Sequence, residues 1–103
     1  ERAGWMMGMY VGEKSENPYP FVLQVDKASD AYRKGIREGD ELIRFNGYET
    51  MPLWRVFDEV NRTRPGREMT IWVRRGAETL RYFVRVPKDP GAPPGEKVEA
   101  SKK

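Results

Sequence analysis

The stretch that most limits the fold lies between residues 68 and 86, where "EMTIWVRR" and "TLRYFVRV" flank Gly76, Ala77 and Glu78. Met69, Ile71 and Val73 alternate with Thr70, Trp72 and Arg74; Leu80, Tyr82, Val84 and Val86 alternate with Arg81, Phe83 and Arg85. Successive side chains of a strand point to opposite faces, so a period of two turns one face to a core and the other to water. Two such runs joined by a short connection predict a half-buried antiparallel hairpin.

The residues before it change period. Leu53, Val56, Phe57 and Val60 recur at i, i+3, i+4 and i+7, which predicts a helix from about 52 to 62 with one apolar face. Pro52 suits its first position, Thr50 is the expected cap, and Arg64-Pro65-Gly66 stops it. Upstream, "FVLQV" (21–25) reads as a strand buried on both faces, after a polar loop at 13–20 containing Pro18 and Pro20. Ser29 or Asp30 caps a helical turn over 31–34 that Gly35 ends. Gly39-Asp40 turns the chain into a strand with Leu42, Ile43 and Phe45. Asn46-Gly47 reverses it into a short strand at Tyr48-Glu49. Met9, Tyr10 and Val11 form one more short strand. The reading is an α+β domain of five to six strands, one main helix and one short helical turn.

Bulk composition narrows the chemistry. The 103 residues fit one domain, placed at 1–86; the Pro-, Gly- and Lys-rich stretch 87–103 reads as a flexible tail. There is no Cys and no His, which removes thiol nucleophiles, the usual zinc sites and His general bases. Ser15, Ser29 and Ser101 therefore have no catalytic partner, the carboxylates form no ordered constellation, and the chain is expected not to be an enzyme and to need no cofactor. A net charge of +3 from interspersed charges describes a solvated surface, so nucleic acid is not an expected partner. No apolar run is long enough to span a membrane. The chain shows no signal peptide and does not start with Met, and is read as a piece of a longer protein.

Three stretches together resemble a PDZ domain: "KASDAYRKGIREGDELIRFNG" (27–47), "VFDEVNRTRPGREMTIWVRRG" (56–76), and Met6-Met7-Gly8-Met9, similar to the family's carboxylate-binding loop. Lys34 stands where many members have Ala. The resemblance implies a PDZ-like, partly open antiparallel barrel or sandwich. With the loop so near the N-terminus, no strand is expected before it and the last strand takes the first strand's place. This is the bacterial, circularly permuted order of HtrA-like and related envelope proteases, which by association suggests the bacterial periplasm or cell envelope.

Gly8, set among Met6, Met7, Met9 and Tyr10, then has a physical reading. A terminal carboxylate needs several donors close together, which successive amides in a tight turn provide. Glycine there lets the ligand approach, with the amides of Met7, Gly8 and Met9 as donors. The strand Met9–Val11, including Tyr10, would offer an open edge for β-augmentation. Phe57 would floor the terminal pocket beside Met7, Met9, Leu53 and Val60, giving a preference for apolar C-termini. The partners implied are such peptide ends and other domains of the parent protein, with the isolated domain a monomer. Two alternatives stay open: Met7, Met9 and Phe57 as plain core with Gly8 in a bulge, or a docking domain with an unused or occluded groove, using Trp54, Trp72 and the 13–20 loop.

Overall fold

Alternation and periodicity resolve into nine elements in the computed structural model, which describes residues 2–14 and 16–95. They are β1 (Ala3–Met6), β2 (Met9–Lys14), β3 (Asn17–Val25), α1 (Asp30–Lys34), β4 (Glu41–Phe45), β5 (Tyr48–Glu49), α2 (Trp54–Arg62), β6 (Glu68–Arg75) and β7 (Glu78–Arg85). One antiparallel sheet of seven strands runs β1-β2-β3-β4-β6-β7, with β5 paired to β4. The sheet is open, not a closed barrel, and gains a strand, β1, that the sequence reading did not anticipate.

The core is built by the residues that alternation selected. Met69, Ile71 and Val73 of β6 and Val84 of β7 are buried with Leu42, Phe45, Val11, Val22 and Ile36. The apolar stripe of α2 closes over them through Val56 and Val60, with Leu53 just before the helix. The outer face of β6 and β7 is wetter: Arg81 lies over both Trp72 and Phe83.

The edge of β7 is shielded by α1. Asp30 Oδ2 accepts the Arg85 amide at 2.9 Å, and Lys34 Nζ donates to the Phe83 carbonyl at 2.6 Å. Side chains thus satisfy ladder groups that another strand could otherwise pair with. α1 itself is capped as expected, Ser29 Oγ accepting the Tyr32 amide at 3.1 Å, and Gly35 ends it at φ 128°.

Three local expectations are corrected. Thr50 does not cap α2; it is buried and its hydroxyl donates to the Leu42 carbonyl, while α2 opens after Leu53 with no side-chain cap. A buried hydroxyl must find an acceptor, and here the adjacent strand supplies it. The 13–20 segment is not a loop, because β2 continues to Lys14 and β3 begins at Asn17. Pro18 and Pro20 are tolerated because the β2–β3 register slips between Gly12 and Lys14, relieving them of ladder bonds they cannot donate. Finally, 21–25 is buried on one face only: Val22 is buried but Leu23 is 38% exposed, as befits an antiparallel sheet with one wet face.

Candidate functional site

Residues 3–14 form a tight hairpin. Met6 pairs with Met9 across the two-residue turn Met7-Gly8, whose φ values are 55° and 81°. Positive φ at both turn positions is the geometry whose twist matches a two-residue hairpin. Gly8 is required on two counts: the φ value, and Ser29, whose Cβ would lie 2.4 Å from any Cβ at position 8. The Gly8 carbonyl also accepts the Asp26 amide at 2.7 Å, tying the turn to the start of the α1 region.

The hairpin overturns two expectations. A strand does precede the turn, and the edge of β2 expected to be open is covered by it: Ala3, Gly4, Trp5 and Met6 pair with Gly12, Val11, Tyr10 and Met9. The physical reason is the pair of glycines. A Cβ on Gly4 would fall 3.3 Å from Phe57 Cζ, and one on Gly12 would fall 3.2 Å from Ala3 Cβ and 2.7 Å from Leu23 Cδ1. A bare Gly4 lets β1 lie along β2 with Phe57 against it, and a bare Gly12 leaves room on the opposite face for Ala3 and Leu23. Trp5 then stacks, tilted, on Tyr10 with ring centroids 5.1 Å apart.

Most of the residues singled out in the sequence lie in the core. Met7, Met9, Val11, Leu53 and Val60 are all buried in the common core. Phe57 is half-buried, packed against that core with its ring edge on Gly4. Tyr10 is half-buried under Trp5. What remains open beside Phe57 is a notch of about 30 Å³ lined by Trp5, Met6, Phe57, Val60, Asn61 and the Pro90-Gly91 step. The Met7 amide is engaged within the molecule, donating to the Pro90 carbonyl at 2.7 Å. Trp5 and Pro90 thus line the notch and Gly4 abuts Phe57, none of them marked out by the sequence pattern. The one available signal was the symmetric "GWM-MG-MYV", a glycine-containing turn with an aromatic at equal distance on each side.

Charge gathers on the far side of the turn. A cleft of about 280 Å³ there includes Asp26, Asp30, Arg85 and Asp89. Burial pushes the Asp30 carboxyl up, but the Arg85 amide, Arg33 and Lys34 outweigh it and hold the group at about 2. Arg2 is exposed, and its carbonyl accepts the Glu13 amide at 3.2 Å. Among the described residues, no group of three or more Asp or Glu side chains is placed to hold a metal ion, and no helix is long and apolar enough to cross a membrane.

A seven-stranded open sheet, a glycine turn after a short leading strand, and a helix facing the second strand are now in place. The family model for PDZ domains matches residues 7–86. The chain belongs to the PDZ family. Solved structures agree with this PDZ domain in fold. The HtrA-type protease AlgW with a decapeptide superposes with a TM-score of 0.72 at 23% identity, covering 89% of this chain and 31% of that one. The same protease with a tripeptide gives 0.68 at 22% identity, covering 87% and 33%. The HtrA3 PDZ domain bound to a phage-derived ligand (FGRWV) gives 0.64 at 21% identity, covering 82% and 84%. This PDZ domain therefore spans about a third of the AlgW chains. No curated protein matches its sequence. The family match begins at Met7, so β1 and residues 87–95 of this PDZ domain both lie outside it.

Proposed function

We propose that this PDZ domain is a non-catalytic module that captures extended peptide segments with apolar C-terminal ends in the groove between β2 and α2. It does so for a larger parent protein, a protease or other bacterial envelope protein, and is itself a monomer. Met7, Gly8, Met9, Tyr10 and Val11 supply the turn and pairing edge; Leu53, Phe57 and Val60 supply the apolar wall.

One observation carries this reading: an extended segment already lies along β2 beside Phe57. β1 is a four-residue extended segment running antiparallel to β2, directed toward the Met7-Gly8 turn, with Phe57 above it. That is the arrangement a peptide adopts in β-augmentation, where ladder bonds give affinity and side-chain pockets give selectivity. The peptide-bound AlgW and HtrA3 structures of the same fold support it.

The test is titration of the full chain with peptides ending in Val, Leu or Met and a free carboxylate, followed by amide shifts. The expected result is movement of Met9, Tyr10 and Val11 resonances that Phe57→Asp abolishes. Unmoved resonances at millimolar peptide would remove the reading.

A second reading, a docking domain with an occluded groove, has an observation of its own. β1 already covers the β2 edge, and Trp54 stands 53% exposed on α2. Under it, partner binding by the parent protein is lost in Trp54→Ala or Trp72→Ala and survives Phe57→Asp.

A further inference from the structure

We infer that β1 is a tethered competitor for the peptide groove: residues 2–6 hold the site in a self-occupied state that an incoming peptide must displace. The inference rests on the peptide-binding reading above and adds to it the regulation of the same site.

Three observations converge. First, all of β1 pairs with β2 and covers its edge from Met9 to Gly12, with Ala3↔Gly12 and Met6↔Met9 as the end pairs. A strand edge can pair with only one neighbour at a time, so a peptide on Met9–Val11 and β1 exclude one another. Second, β1 has the direction of a bound C-terminal peptide, and Met6, buried, sits last before the turn. Its chain continues into Met7 where a ligand would end in a carboxylate. The Met7 amide, one of the donors such a carboxylate would use, is closed by the Pro90 carbonyl at 2.7 Å. Third, the two segments that fill the site, β1 and the stretch around Pro90, both lie outside the 7–86 family match.

The occupant is fitted yet removable. Gly4 is the residue beneath Phe57, where any side chain would force the ring aside. Beyond Met6, β1 buries little, since Ala3 is exposed and Gly4 and Trp5 are half-buried. Among the described residues, β1 pairs with no strand besides β2. A tethered segment competes at an effective concentration on the order of millimolar. The apparent affinity for free peptide is reduced by the fraction of molecules whose groove is open.

The experiment uses the full chain and the pentapeptide RAGWM, the sequence of residues 2–6, with a free terminal carboxylate. Gly4→Pro removes an amide from the β1 ladder and adds bulk under Phe57, and is expected to tighten peptide binding by about tenfold or more. A Trp5→Cys/Tyr10→Cys variant provides the opposite arm in a chain with no other cysteine. The Glu13–Arg2 backbone bond makes residues 2 and 13 a hydrogen-bonded pair, so Trp5 and Tyr10 face each other at a non-hydrogen-bonded position, where a disulfide fits. Oxidised, this variant is expected to bind peptide at least about tenfold more weakly than in its own reduced form. In the unsubstituted chain, saturating peptide should return the Gly4 and Met6 amides, the two β1 donors to β2, to unstructured shifts and abolish their exchange protection.

Equal affinity of the oxidised and reduced forms overturns the inference. So does bound peptide with the Gly4 and Met6 amides still protected, which places the peptide on the outer edge of β1. Both outcomes leave peptide binding itself standing. Absence of binding by every variant at millimolar peptide overturns the groove reading and the inference with it. If Gly4→Pro fails to fold, the cysteine pair still decides.

Discussion

Phe57 rests edge-on against Gly4, so close that a Cβ at position 4 would sit 3.3 Å from Phe57 Cζ. This contact joins the helix to the leading strand and sets how much room remains in the groove. Gly4→Val is therefore expected to push the ring or the strand aside, costing about 1–2 kcal/mol as overpacking does. Hydrogen exchange should show the loss concentrated in β1 amides, with β6 and β7 unchanged. Uniform protection across the sheet would mean that the contact does not limit β1.

Gly8 sits at φ 81° with Ser29 Cβ in the space a side chain would need. Gly8→Ala should cost roughly 2–3 kcal/mol, combining left-handed backbone strain with overlap. Ser29→Gly opens that space and forfeits about 0.3 kcal/mol of capping together with the Ser29 hydroxyl's bond to the Asp26 carbonyl. The double variant should recover about half of the loss. Additive losses in urea unfolding would count against the overlap.

Asp40 is 1% exposed and held by three donors: Arg75 Nε at 2.8 Å, the second Arg75 nitrogen at 2.8 Å and the Arg37 amide at 2.9 Å. Its hydrogen bonds with Arg75 hold that guanidinium above its ordinary range. Arg75→Met leaves a buried carboxylate short of partners. The expected cost is about 2–3 kcal/mol, below the figure for a dry pair because the Arg75 side chain is 40% exposed. Asp40→Asn/Arg75→Met should be less damaging than Arg75→Met alone. The reverse order in denaturant midpoints would remove the uncompensated charge as the cause.

Asp30 gives the fold an acid limit. Its carboxyl is lowered from 3.8 to about 2 because the Arg85 amide, Arg33 and Lys34 outweigh the burial that raises it. A group depressed on folding contributes stability fully above its unfolded value and loses it as pH falls through the folded value. Between about pH 5 and pH 2 the wild-type chain should lose about 1–2 kcal/mol that Asp30→Asn does not. Parallel acid profiles for the two would show that Asp30 carries none of this dependence.

The hairpin β6–β7 was legible because a strand's period of two is local, and so was the apolar stripe Leu53–Val60. Ser29 and Gly35 around α1 were legible because caps act within one turn. Thr50 was misassigned because its choice between α2 and the Leu42 carbonyl depends on which acceptor tertiary packing brings near. β1 was missed because it is four residues long and two of its amides meet β2 only after a turn at Met7, a residue type that rarely takes φ 55°.

What the sequence determined by itself was the inward faces of β6, β7 and α2, the turns at Gly35, Asn46-Gly47 and Gly76, and hence a PDZ-like α+β domain. What only the tertiary structure decided was occupancy of the groove. Whether the β2 edge stands open depends on the fit of Gly4 beneath Phe57 and of Pro90 against Met7, contacts between residues more than fifty positions apart. Local periodicity carries no information about such pairs, because their free energy exists only once the chain has closed around them.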